Sequence, residues 1–153
     1  MSQHDRESFL GDRRVGVLSV ADPREGDRAP LSVPIWYGPA ELHGLALEAV
    51  AAGLAERGLP FRMCGPALPP EALLEAVRRT GPPAVLLWSQ VAGTADRALA
   101  VRVARAAWGP PGARTRPVVL AAGPGWSGSR RPPGALRPLD LATALDQLAD
   151  LLR

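Results

Sequence analysis

Apolar residues recur at the spacing of an α-helix in four segments of the chain. In the first segment, Leu47, Val50 and Leu54 fall on one helical face. The four predicted helices run from about Glu41 to Arg57, from Pro70 to the stop at Gly81-Pro82-Pro83, from Thr94 to Trp108, and from an Asp140 cap to Leu152. Each has a single apolar stripe, so each is expected to pack one face against a core.

Continuous apolar runs of strand length alternate with these helices. Ala84–Trp88 and Pro117–Ala122 contain no charged side chain, which is typical of strands buried on both faces. Pro60–Cys64 predicts a shorter strand, and Leu136–Leu139 would supply a short fifth one. Strands that alternate with helices of this length favour parallel pairing. The sequence therefore predicts an α/β fold: a doubly wound, mostly parallel, five-stranded, flavodoxin-like sheet with helices on both faces.

The first 38 residues have a different pattern. Two β-rich runs, Val15–Val20 and Leu31–Tyr37, flank a turn-like segment and predict a short β-hairpin. Pro34 cannot donate to a strand ladder, so it predicts an edge, a bulge or a strand end. The chain thus divides into an N-terminal hairpin segment, residues 1–38, and an α/β domain, residues 39–153. Because the parallel sheet needs a strand before its first helix, the second β-rich run is also available to complete that sheet.

The charge pattern adds one feature. All 18 basic residues are Arg, and with abundant Ala, Gly and Pro this indicates a coding bias rather than selection for charge. Between Arg97 and Arg137 there are eight Arg and no Asp or Glu, a face that would attract a phosphate or an acidic partner. A solvated face is the simpler interpretation, because Arg102 and Arg105 have helical spacing and no aromatic residue interleaves them. The chain shows no recognition helix, so no direct DNA binding is expected.

The sequence pattern contains neither a membrane-spanning run nor a secretory signal. No apolar run approaches the roughly 18 residues of a membrane helix, and the start of the chain lacks the basic-then-apolar run of a secretory signal. The single cysteine, Cys64, has no partner for an intramolecular disulfide. A cytoplasmic protein without membrane contact is therefore expected. Cys64 ends a predicted strand with no His near it, which favours a small buried apolar group over a nucleophile.

Candidate chemistry lies in the loops after the strands, where α/β sheets bind ligands. Glu41-Leu42-His43 follows the first strand, Ser89-Gln90-Val91 the third and Gly123-Pro124-Gly125 the fourth. These loops resemble the cobalamin-binding domains of corrinoid methyltransferases, mutases and MerR-type regulators. The family pattern is an acidic residue, a spacer and His followed by two spacers and Gly, then Ser-x-Leu, then a Gly-Gly pair. The likeness to the MerR-type branch extends over Leu47–Trp126.

This resemblance implies a non-catalytic cobalamin-binding module that takes adenosyl- or methylcobalamin, a remnant of a cobalamin-responsive transcriptional regulator without its DNA-binding domain. It implies that His43 is the lower ligand to cobalt and that Glu41 bonds the other imidazole nitrogen. It also implies four cofactor-binding residues around the slot for the displaced nucleotide tail: Ser89, Val91, Gly123 and Gly125. Whether a protein partner or a second copy covers the upper face of the cofactor stays open.

Three positions depart from the family pattern. Ala46 stands where the pattern has Gly, Val91 where it has Leu, and Pro124 separates the two glycines. Ala46 adds one methyl group near the approach of the corrin ring. Trp88 and Trp126 lie beside two of the loops and would flank a ligand cleft, although packing is the simpler interpretation of both.

A second resemblance covers the N-terminal part alone. Arg14–Ala21 and Ala29–Tyr37 are similar to the opening of pyridoxamine 5′-phosphate oxidase-like flavin proteins, which fold as split β-barrels around FMN or a related flavin. This likeness implies an alternative function, a flavin protein fragment with FMN as its cofactor and an origin in an oxidase. A third alternative is a scaffold that kept the fold and lost both ligands.

Overall fold

The computed structural model describes residues 33–37, 44–65, 68–128 and 130–153. Within these ranges the chain alternates strand and helix: β1 (Val33–Tyr37), α1 (Leu45–Glu56), β2 (Phe61–Cys64), α2 (Pro70–Thr80), β3 (Ala84–Trp88), α3 (Arg97–Arg105), β4 (Val118–Ala122) and α4 (Leu141–Leu151). Short 3₁₀ turns follow β3 at Ala92–Thr94 and β4 at Pro124–Trp126. None of the described helices is long and apolar enough to span a bilayer.

The strands form one parallel sheet in the order β2-β1-β3-β4. The direction of winding reverses between β1 and β3, as in flavodoxin-like sheets. Val33 aligns with Phe61 of β2, while Ile35 aligns with Leu86 of β3, which in turn aligns with Leu120 of β4. The predicted α/β class with a doubly wound parallel sheet is therefore confirmed.

The predicted fifth strand, Leu136–Leu139, is wrong. Within the part of the chain that the structure describes, only Leu136 of this segment pairs with the sheet, through a single parallel bridge to Leu120. Its backbone N–H donates to the carbonyl oxygen of Val119 at 2.8 Å. Pro138 has no N–H to extend the ladder, so the pairing stops after one residue. The described sheet has four strands, with Leu136 as a one-residue extension of the β4 edge.

Strand β1 lies in the interior of the sheet. It pairs in parallel with β2 on one side and with β3 on the other, and Val33, Ile35 and Trp36 are almost fully buried. The prediction that this segment completes the sheet is confirmed. Pro34 is the second residue of β1, so it marks a strand end rather than an edge. The division at residues 38 and 39 assigns β1 to the hairpin segment, yet its pairing belongs to the α/β sheet; residues 1–32 lie outside the described residues.

Two apolar layers cover the sheet because side chains alternate along each strand. In β3, Leu86 packs with α1 and α4, whereas Val85 and Leu87 pack with α2 and α3. An ion pair between Arg57 and Asp146, 2.8 Å between nitrogen and oxygen, joins α1 to α4 at the surface. Helices on both faces agree with β3 and β4 being apolar throughout.

Local chemistry sets the helix boundaries. The third helix, predicted from Thr94 to Trp108, begins at Arg97 because the carboxylate of Asp96 accepts the Leu99 N–H at 2.8 Å and caps it there. It ends at Arg105. Helix α2 ends at Gly81, whose φ of 60° is the left-handed conformation that favours glycine at this position.

Candidate ligand-binding site

A cavity of about 440 Å³ opens at the carboxyl ends of β3 and β4, between the first turns of α1 and α4. This volume lies within the range of small-molecule sites. Small side chains make the space on the helix side, since Ala46 and Ala49 of α1 face Ala144 of α4 across it. The remaining lining residues are Val50, Trp88, Ala122, Gly123, Pro124, Ser127, Arg137, Pro138, Leu139, Asp140 and Leu141. The cavity is therefore mostly apolar, with a few polar groups.

The indole of Trp88, the last residue of β3, forms one wall of the cavity. Its Nε1 is buried and has no hydrogen-bond partner among the described residues. A buried donor left without an acceptor costs about 1–3 kcal/mol. Because this nitrogen has almost no accessible surface, a ligand in the cavity would contact the rest of the indole ring and not Nε1. Trp126, the other tryptophan beside the loops, is buried in the α2/α3 layer instead. Packing therefore explains Trp126, whereas Trp88 also borders the cavity.

Two charged residues, Arg137 and Asp140, line the cavity. Arg137 is half-buried. The Asp140 carboxylate accepts the Thr143 N–H at 2.7 Å and thereby caps α4. This backbone hydrogen bond holds the pKa of Asp140 below its ordinary value. Leu139, 84% exposed, and Leu141, 43% exposed, add an apolar rim. An apolar body with a guanidinium beside it suits a ligand that joins a flat apolar part to an anionic group.

Ser89, predicted to contact the cofactor tail, does not line this cavity. It is fully buried, and its hydroxyl lies 2.7 Å from the carbonyl oxygen of Val91 and 2.6 Å from the hydroxyl of Thr94. Val91 is itself 53% exposed and also lies outside the lining. The Ser89 hydroxyl therefore stabilises the loop after β3.

Gly125 is buried against the same loop. Its N–H donates to the carbonyl oxygen of Ser89 at 2.9 Å. A Cβ atom at this position would overlap the Ser89 hydroxyl oxygen and the Val91 carbonyl. The close approach at Gly125 is therefore one between two loops of the protein, and its predicted contact with a cofactor tail stays a prediction.

Gly123 does line the cavity. Its φ is 100°, a conformation that L side chains rarely adopt, and a Cβ there would overlap the Ser89 carbonyl oxygen. Ala46, the position that departs from the family pattern, contributes to the opposite wall. Glu41 and His43, the predicted second-shell partner and cobalt ligand, lie outside the described residues.

Other chemistry is sparse in the described part of the chain, which contains no group of three or more His, Cys, Asp or Glu side chains arranged to hold a metal ion. Burial raises the pKa of the Cys64 thiol to about 11, with Arg62 acting weakly in the opposite direction. The thiol is therefore protonated at neutral pH, as expected for a small apolar group.

On the α1 and α4 side of the cavity, sequence reasoning placed only Ala46 near a ligand and missed the other residues. Ala49 and Ala144 are ordinary helix residues, and only the packing of the two helices turns them into a wall. Arg137 follows the weak strand signal at Leu136, and Asp140 was predicted only as a helix cap. From the sequence alone, residues that line the cavity cannot be distinguished from residues that only support the loops beside it.

No family model matches the chain, and no curated protein matches it. Among solved structures, a diflavin flavoprotein A3 from Nostoc sp. is similar with a TM-score of 0.48 and 15% sequence identity. The alignment covers 81% of this chain and 92% of that one. A likeness of this degree does not decide the ligand.

Proposed function

We propose that this chain is a cofactor-binding module that takes cobalamin, with the displaced nucleotide tail of the cofactor in the cavity between α1 and α4. One observation carries this proposal. Ala46, which stands in α1 where the cobalamin-binding pattern has Gly, and Gly123, which matches the pattern in the loop after β4, are far apart in sequence, and both line the same cavity at the carboxyl edge of the sheet. Ligands of open α/β sheets bind at this edge.

The chemistry of the cavity supports a nucleotide tail. Its apolar walls and the Trp88 ring suit a flat aromatic base, which would bury its apolar surface there. The Arg137 guanidinium suits the phosphate of the tail. These residues would bind and orient the tail.

In this proposal His43 provides the lower ligand to cobalt and Glu41 fixes its tautomer. The chemistry of the cobalt–carbon bond belongs to the cofactor. Ser89 and Gly125 act as positioning residues, because the bond between them holds the loop after β4, which lines the cavity, against the loop after β3. The methyl group of Ala46 narrows the cavity on the α1 side without filling it.

The direct test is the absorbance spectrum after loading. Protein incubated with methylcobalamin in the dark and then desalted should retain a corrinoid spectrum in proportion to protein. His43→Ala should abolish or shift that spectrum, whereas His4→Ala, which changes the chain's other histidine, should not. A colourless eluate from folded wild-type protein would refute the proposal.

Flavin binding is the second candidate, and the strand order favours it. In flavodoxin, whose strand order also begins 2-1-3-4, FMN binds at the switch point between β1 and β3. A flavin here would use the α/β edge, since β1 pairs in parallel and not in a split barrel. Fluorescence released on denaturation of protein loaded with FMN and desalted separates this candidate from cobalamin.

A further inference from the structure

A second groove, of about 370 Å³, lies in the α2/α3 layer on the opposite face of the sheet from the cavity. Four arginines line it: Arg78, Arg102, Arg105 and Arg114. The other lining residues are Ala106 and Ala107, so no Asp or Glu is among the residues that line the groove. The charges converge on one concave space and do not form an extended stripe.

Three separate elements bring these arginines together. Arg78 belongs to the last turn of α2, and Arg102 and Arg105 to the last turn of α3. Arg114 comes from the turn closed by the antiparallel bridge between Trp108 and Thr115.

The turn that carries Arg114 packs against the end of α2 through a contact between Gly81 and Trp108. A Cβ at Gly81, which ends α2, would meet the Trp108 indole. The Trp108 ring therefore lies against the end of α2, which brings the turn carrying Arg114 beside the helix end that carries Arg78. The groove is a product of the tertiary fold.

Most of the positive charge in the groove has no carboxylate paired with it in the described part of the chain. Arg102 donates to both carboxylate oxygens of Glu71, at 2.7 and 2.8 Å. Arg78, Arg105 and Arg114 form no ion pair or side-chain hydrogen bond within the described part of the chain. Like charges brought together without partners oppose each other, and an anion between them relieves this repulsion.

Helix-end stabilisation accounts for only part of the cluster. Cations in the last turn of a helix interact favourably with its dipole, which explains Arg78, Arg102 and Arg105 and equally explains Arg79 outside the groove. Arg114 is in a turn, where no helix end needs it. Its presence opposite three other arginines therefore has no explanation in helix stability.

We propose that this groove binds a compact phosphate-bearing anion, such as a diphosphate group. Guanidinium groups donate paired hydrogen bonds that match phosphate oxygens, and several around one concave space suit a small multivalent anion. An extended nucleic-acid strand would need a track of cations with aromatic stacking platforms, and no aromatic residue lines the groove. The site is independent of the cofactor cavity.

The test is isothermal titration with sodium pyrophosphate at low and moderate ionic strength. Wild-type protein should bind one equivalent saturably, and the double variant Arg78→Gln/Arg114→Gln should bind at least about tenfold more weakly. The matched control is Arg79→Gln/Arg116→Gln, which removes the same charge from the same α2 turn and from a nearby loop outside the groove. This control should retain wild-type affinity within about twofold.

Three results would overturn the proposal: no saturable binding by wild-type protein, equal weakening in both double variants, or duplex DNA that binds more tightly than pyrophosphate with equal losses in both variants. All four substituted arginines are exposed, so far-ultraviolet circular dichroism should be the same for every variant. The corrinoid spectrum of cobalamin-loaded protein should be unaffected by either double variant, which keeps the two sites experimentally separate.

Discussion

The backbone N–H of Gly125 donates a hydrogen bond to the carbonyl oxygen of Ser89, with 2.9 Å between nitrogen and oxygen. This bond joins the loop after β4 to the loop after β3 beside the candidate cavity. A side chain at position 125 would overlap both the Ser89 hydroxyl and the Val91 carbonyl. The glycine is thus required by the packing of two loops, whichever ligand the cavity accepts.

We expect Gly125→Ala to destabilise the protein by about 1–3 kcal/mol, because the loops must separate to admit one methyl group into a packed region. Urea unfolding followed by circular dichroism measures the change. Gly128→Ala is the matched control, since a Cβ there meets nothing within 4 Å, and its effect should stay within about 0.5 kcal/mol. Equal stabilities of the two variants would contradict the loop contact.

Most of the fold follows from local pattern. The apolar run at β3 predicts a strand buried on both faces, and residues such as Leu86 and Leu87 do pack on opposite layers. The errors arise where a single residue overrides a pattern. Asp96 caps α3 later than the apolar periodicity suggests, and Pro138 stops the pairing that Leu136 begins.

The candidate site was less predictable. Parallel strands place their carboxyl ends at one edge, so the meeting of the Ser89 and Gly123 loops could be expected. Sequence does not show which atoms in those loops face outward. The Ser89 hydroxyl hydrogen-bonds with the Thr94 hydroxyl, and of the four predicted tail contacts only Gly123 lines the cavity. Arg114 joins its groove through the contact of Trp108 with Gly81, which no local pattern encodes.

Ala46→Phe should block ligand entry to the cavity. Ala46 lines the α1 wall in the first turn of the helix, and a phenyl ring there would occupy the space proposed for the nucleotide tail. Retained corrinoid absorbance after desalting should fall at least about tenfold. The control is Ala52→Phe, an exposed position of the same helix outside the cavity. Both changes have the same helix-propensity cost, so an equal loss in the two variants would argue against the cavity.

Trp88→Phe should weaken cofactor binding, because a phenyl ring presents less flat apolar surface to the proposed base than the indole does. We expect the affinity to fall about fivefold, which corresponds to about 1 kcal/mol of lost apolar contact. Loss of the buried Nε1–H, which has no partner among the described residues, offsets part of the packing that the smaller ring gives up. Equilibrium titration monitored by absorbance gives the affinity, and urea unfolding gives the stability.

Trp126→Phe provides the comparison for that experiment. Its Nε1 is also buried without a partner in the described chain, but the residue lies in the α2/α3 layer and does not line the cavity. Affinity should therefore be unchanged in this variant. If both variants bound the cofactor as tightly as wild-type protein, Trp88 would be a packing residue alone.

The Asp140 cap of α4 should make stability fall in acid. The hydrogen bond from the Thr143 N–H holds the pKa of the Asp140 carboxyl below its ordinary value, so the folded state favours the ionised form. The contribution of this group to the free energy of unfolding is complete above the unfolded pKa and is lost as the pH falls through the folded value. Between about pH 5 and pH 2, the wild-type urea midpoint should therefore fall further than that of Asp140→Asn, which caps the helix without titrating. Parallel acid profiles for wild-type protein and Asp140→Asn would show that the cap carries no charge-dependent stability.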